Sequence, residues 1–137
     1  MPIRLLALDL DGTIIDDRMR ASPRVQRALR LAQDVGVHVT LATGRFFHSA
    51  RAFANALGIH EPLICFQGAL IQDPHTGEIY LRYDVPLDLA HEFIGFVHDH
   101  DWDLCLYVDD QLYAEKVTSN LRFYAELYVE ETVIDGF

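Results

Sequence analysis

Apolar residues fall in short blocks, and the spacing inside each block separates helix from strand. Ile3–Leu8 is an apolar run of strand length that ends at Asp9 and Gly12, the pattern of a strand buried on both faces of a parallel sheet. Ser22-Pro23 marks a helix start, with Ser22 as cap and Pro23 in the first turn. Val25, Ala28, Leu29, Ala32 and Val35 then share one helical face, Arg24, Arg27 and Arg30 lie away from it, and Gly36 stops the helix. Val37–Ala42 reads as a second strand. Phe47, Ala50, Ala54 and Leu57 recur at helical spacing up to Gly58, and Leu63–Phe66 is a third short strand.

This strand–helix–strand–helix–strand order predicts an α/β fold, with a parallel sheet and right-handed crossovers. The grammar changes after Phe66. Ala69–Gln72 and Glu78–Tyr83 flank a turn-rich Asp73-Pro74-His75-Thr76-Gly77, which predicts a hairpin. A helix is expected over Leu87–His100, with Leu89, Phe93, Phe96 and Val97 as its apolar face, and Trp102 packed nearby. A second hairpin is expected around Asp109-Asp110-Gln111, then a helix over 119–128 and a strand from Glu131 to Ile134. A boundary near residues 80–86 separates an α/β part, residues 1–82, from an α+β part, residues 83–137.

Composition narrows the class. The 137 residues are 50% hydrophobic and 23% charged, in the size range of one globular domain. The apolar stretches fall far short of the roughly 18 residues that cross a bilayer. The opening lacks the features of a secretory signal, and two cysteines, Cys65 and Cys105, read as buried free thiols. A reducing, cytoplasmic setting is expected from them. The seven histidines show no ligand spacing such as HExxH. The net charge of −10 argues against nucleic acid as a partner. That charge is uneven: residues 1–68 hold eight bases against six acids, whereas residues 69–137 hold three bases against fifteen acids. Lys116 is the only lysine.

The sharpest chemical feature is Asp9-Leu10-Asp11-Gly12-Thr13, directly after the first strand. Ligands of open α/β sheets collect at the carboxyl ends of strands, so both carboxylates stand where chemistry is expected. One carboxylate can attack phosphorus as a nucleophile, and the other can shuttle the proton of the leaving group and then of water. Anions attacking an anion require a cation, and Mg2+, held by one or two carboxylates plus substrate oxygens, suits the role. The second strand ends in Ala42-Thr43-Gly44-Arg45, where a hydroxyl and free N–H groups ahead of a helix can bind an anion. An Asx-turn at Asp9–Gly12 and a helix-capping Thr43 are the competing structural readings.

Together, Asp-Leu-Asp-Gly-Thr after one strand and Ala-Thr-Gly-Arg after the next resemble the haloacid dehalogenase superfamily. The pattern is closest to the Cof-type phosphatases, which carry an α+β cap after the third core strand. The usual Asn-Gly-Ala of that group is replaced here by Gln67-Gly68-Ala69. The resemblance implies a Rossmann-like core of three strands, residues 1–82, with a partial cap over 83–137. It implies Asp9 as nucleophile and Mg2+ ligand. Asp11 becomes the general acid/base, with its backbone carbonyl on the metal. Leu10, Gly12, Thr43 and Gly44 would shape the phosphate cradle. Arg45 stands as a substrate contact or a structural pair, and Gln67 lies near the entrance. Small phosphorylated metabolites are the implied substrates, sugar phosphates or similar; a phosphomutase or a non-catalytic binding domain on the same fold are the alternatives.

The family also uses a lysine and a Gly-Asp-x-x-x-Asp-like acidic motif beyond the cap. Lys116 falls in a cap hairpin, and Asp109-Asp110 reads as a solvated turn. The chain is therefore expected to be an N-terminal portion of such an enzyme and a weak phosphatase alone. An exposed first strand is expected to invite homodimerisation at the sheet edge.

Overall fold

A computed structural model of the chain describes residues 3–119 and 131–133. The elements in order are β1 (Leu5–Leu8), α1 (Pro23–Asp34), β2 (His38–Leu41), α2 (Phe47–Leu57) and β3 (Leu63–Cys65). A 3-10 turn over Phe66–Gly68 leads into β4 (Leu70–Gln72), β5 (Ile79–Arg82), α3 (Leu87–Asp99), β6 (Cys105–Val108), β7 (Gln111–Ala114) and β8 (Glu131–Val133). The chain divides into two units between Tyr83 and Asp84. Most of the helix expected over 119–128 lies outside the described residues.

In the first unit β1 and β2 run parallel, with Leu6 opposite Val39 and Leu8 opposite Leu41. Successive strand residues point to opposite faces, so these four share one face. That face meets the core, which includes Leu29 of α1 and Phe47, Ala50 and Ala54 of α2. The opposite face of β1 stays open: Leu5 is 57% exposed and Ala7 is exposed, so this strand is not buried on both sides as its composition suggests. The reason lies in the connections. Right-handed crossovers from β1 through β2 to β3 carry α1 and α2 to the same side of the sheet.

The expected third parallel strand is present but barely laddered. β3 meets the end of β2 through one parallel bridge, Ala42 to Ile64, and Thr43 N–H donates to the Ile64 carbonyl at 2.9 Å. Its main partner is β4, antiparallel, which in turn pairs with β5. Ser22 caps α1 by accepting from Val25 N–H at 3.3 Å, with Pro23 following. That helix ends at Asp34, and Val35, its C-cap residue, is exposed.

The second unit has α3 and a sheet in the order β6-β7-β8, with β7 antiparallel to β6 and parallel to β8. Asp109 and Asp110 both take positive φ, 49° and 65°, between β6 and β7. Two left-handed residues make the tight hairpin turn whose twist matches its strands. Val97 is the buried residue of α3, and Leu112 of β7 is fully buried. Phe93, Phe96 and Trp102, expected in the core, are about half exposed. Phe96, His100 and Trp102 instead pack on one another, Phe96 meeting Trp102 edge to face at 5.7 Å. The i, i+4 and i+7 stripe of Leu89, Phe93 and Phe96 is thus not the face that the described part of the sheet covers. Cys65 is buried, whereas Cys105 is only partly so. Burial, helped by nearby Asp103, pushes the Cys105 thiol up, away from the reactive thiolate.

Candidate active site

The turn after β1 folds around one backbone carbonyl. The Leu10 carbonyl accepts from the N–H groups of Thr13, Ile14 and Ile15, while the Leu10 side chain is fully buried. Gly12 adopts φ +69°, a conformation costly for residues with a Cβ, and its N–H donates to the Ile15 carbonyl. A buried apolar anchor at Leu10 therefore presents Asp9 and Asp11 on either side at the surface. Asp9 is exposed, and Thr13 Oγ1 donates to its Oδ2 at 3.2 Å. Nothing in the composition of the motif singles out this role for Thr13; its spacing of four residues across a tight turn is the only hint.

Asp11 has a different environment. Arg45 Nε donates to Asp11 Oδ2 at 2.8 Å, and Arg45 Nη2 donates to Oδ1 at 2.6 Å, a bidentate pair. The Arg45 side chain is 6% exposed and that of Asp11 is 51% exposed. Arg45 Nη1 also reaches Ser49 Oγ at 3.0 Å, Nη2 meets Met19 Sδ at 3.1 Å, and the guanidinium stacks over Phe53 at 5.0 Å. Hydrogen bonds from Arg45 hold the Asp11 carboxyl below its ordinary value, against an opposing push from burial. Met19 itself sits at φ 58° in a loop closed by Asp16, whose Oδ1 accepts from Arg18 and Arg20 N–H. Nothing in the sequence pattern singles out Met19 or Phe53 as partners of Arg45; Ser49, four positions after it, offers the one readable signal.

The end of β2 stands beside this turn, since Ala42 N–H donates to the Leu8 carbonyl at 2.9 Å. Thr43 is buried, and its hydroxyl accepts from Arg45 N–H at 3.1 Å. It does not cap α2: the residue before that helix is Phe46, which makes no side-chain cap. The Thr-Gly-Arg segment forms its own small turn, delaying the helix until Phe47. Gly44 is exposed, and a side chain there would meet the Gln67 carboxamide. Gln67 lies in a strained segment, Phe66, Gln67 and Gly68 all having positive φ of 49°, 55° and 95°. Phe66 N–H donates to the Arg45 carbonyl and Gln67 N–H to that of Thr43, which ties this segment to the Thr-Gly-Arg turn.

The arrangement offers hard oxygen donors to a cation. The Asp11 carboxylate is paired with Arg45, which leaves its main-chain carbonyl and the exposed Asp9 carboxylate as the oxygen donors of the turn. Among the described residues no three His, Cys, Asp or Glu side chains gather as a metal site. A hard cation that keeps water and takes substrate oxygens, as Mg2+ does, fits such a donor set.

Residues 6–135 match the family model of haloacid dehalogenase-like hydrolases. The chain belongs to that family. A pyridoxal phosphate phosphatase of Escherichia coli is 30% identical over 121 residues, 88% of this chain and 44% of that protein. A haloacid dehalogenase-like hydrolase from Bacillus subtilis superposes with a TM-score of 0.84 at 22% identity, covering 98% of this chain and 55% of the other. A sugar phosphatase of haloacid dehalogenase subclass IIB superposes with a TM-score of 0.77 at 18% identity, covering 95% and 52%. The chain thus spans about half the length of these haloacid dehalogenase-like relatives.

Proposed function

We propose that this chain supplies the nucleophile and phosphate-binding half of a phosphatase for small phosphorylated metabolites. The observation that carries this reading is the juxtaposition of Asp9 and Asp11 with Thr43 and Gly44 at the carboxyl ends of adjacent parallel strands. The names of the relatives, a pyridoxal phosphate phosphatase and a sugar phosphatase, suggest the substrate class.

In this reading Asp9 attacks the phosphoryl group and holds it as an acyl phosphate until water releases it. Asp11 protonates the departing oxygen and then takes the proton of that water. For Asp11 to act as an acid, its grip on Arg45 must loosen, because the ion pair favours the ionised carboxylate. The Thr43 hydroxyl and the main chain of Leu10, Gly12 and Gly44 hold phosphoryl oxygens. Mg2+, bound through the Asp9 carboxylate and the Asp11 carbonyl, would neutralise charge between two anions. Gln67 borders the cradle beside Gly44.

The sole lysine lies in the second unit, its Nζ 3.8 Å from an Asp101 carboxylate oxygen. With no lysine in the unit that carries Asp9 and Asp11, this chain alone is expected to be a poor catalyst that still binds. Titrating it with Mg2+ and beryllofluoride, a phosphoryl analogue, tests that. Saturable 19F-detected binding that disappears in Asp9→Asn supports the reading. Binding unaffected by Asp9→Asn, or no binding at all, refutes it.

A further inference from the structure

The end of the first unit's sheet opposite Asp9 holds a second group of chemistry-bearing side chains. His60 follows fully buried Ile59 in the loop between α2 and β3. His75 lies in the turn between β4 and β5, and the antiparallel pairing of Leu63 with Gln72 brings that turn to the same end. His60 Nδ1 lies 2.9 Å from His75 Nε2, with ring centroids 5.0 Å apart and planes tilted by 33°. Both histidines are exposed. Their backbones are well held. Asp73 Oδ1 accepts from His75 N–H at 2.8 Å and from Thr76 N–H at 2.7 Å, Pro74 between them is buried, and Ile59 N–H donates to the Ala54 carbonyl. The neighbouring Glu61 carboxylate is engaged by His38 Nδ1.

We propose that His60 and His75 form a two-histidine site for a divalent transition metal of tetragonal preference, Cu2+ or Ni2+. Imidazole nitrogens bind such ions at about 2.0–2.1 Å. Two nitrogens 2.9 Å apart then subtend about 90° at the metal, the cis angle of square-planar and octahedral sites. A tetrahedral ion such as Zn2+ needs its nitrogens roughly 3.4 Å apart, so the pair would have to open. In the metal-free pair one imidazole donates its N–H to the other. On metal binding that proton moves to the outer nitrogen of the same ring, and the rings turn so that both inner lone pairs converge. Among the described residues no third His, Cys, Asp or Glu side chain completes a cluster, so water fills the remaining positions. The nitrogen donors distinguish this site from the oxygen donors at Asp9 and Asp11, and the bound metal would tie the β4–β5 turn to the α2–β3 loop.

Cu2+ titration of the full chain, followed by calorimetry and by pulsed electron paramagnetic resonance, tests the assignment. The expected result is one saturable ion coordinated by two imidazole nitrogens, with Ni2+ preferred over Zn2+. His60→Gln and His75→Gln, both exposed substitutions, should each leave one imidazole and weaken binding at least about tenfold. His91→Gln, on α3, should change neither readout. Absence of saturable Cu2+ binding, tighter binding of Zn2+ than of Ni2+, or a two-imidazole signal that survives either substitution overturns the proposal.

Discussion

A guanidinium removed from water needs an anion, and Arg45 takes Asp11. The pair is asymmetric, because the arginine is almost wholly enclosed and the aspartate is half in solvent. Removing a partner from a buried charge is more damaging than removing one from an exposed charge. Asp11→Asn should therefore cost about 1–3 kcal/mol in urea unfolding, chiefly by stranding Arg45. Arg45→Met, which keeps a long apolar stem against Phe53, should remove most of that penalty. In the double-mutant cycle the two substitutions should couple by at least about 0.5 kcal/mol. Additive effects would mean that the ion pair contributes little, as for an ordinary surface pair.

At the scale of elements, the β4–β5 turn depends on one carboxylate. Amide hydrogen bonds from Thr76 and His75 hold Asp73 below its ordinary value, because they favour the charged form. A depressed folded-state value means a contribution fully present above the unfolded value near 3.8 and lost as the pH falls through the folded one. Hydrogen exchange at the His75 and Thr76 amides should accordingly speed up, relative to the intrinsic rate, only below about pH 4. Asp73→Ala should show that faster exchange already at neutral pH. Protection that stays constant down to pH 2, or is unchanged in the variant, would assign the turn's order to other contacts. β1 shows a different dependence. Its ladder to β2 and its one covered face come from elements far along the chain, which explains why a composition suited to two covered faces ends with Leu5 and Ala7 open.

The whole molecule presents an unpaired edge of β1 among the described residues and an exposed apolar face with Ile3 and Leu5. Open edges and apolar faces invite a second chain. Light scattering over a concentration series should show reversible self-association, reduced by Leu5→Lys. A monodisperse monomer throughout the series would remove the proposed dimer. Charge acts at this scale too, since the acidic excess after residue 68 sets the sign of the chain as a whole while the part that carries Asp9 and Asp11 is mildly basic.

Much of the fold and of the candidate site was legible in the residues themselves. Alternating blocks placed every described helix and strand. Ser22-Pro23 set the start of α1, Asp109-Asp110 made the hairpin turn, and Asp9 to Thr13 marked the tight turn that ends β1 at the candidate site. These features depend on neighbours within a few positions, where backbone sterics and local hydrogen bonds decide. Tertiary structure alone decided the pairings across distance. It set Arg45 on Asp11 and Gln67 against Gly44, brought His60 to His75, and removed Thr43 from the helix cap. It also determined which faces are covered: β1 is open on one side, and Phe93, Phe96 and Trp102 are half exposed. A side chain's partner across 15 or 34 positions follows from strand register and crossover hand, and the residue's own type cannot encode either.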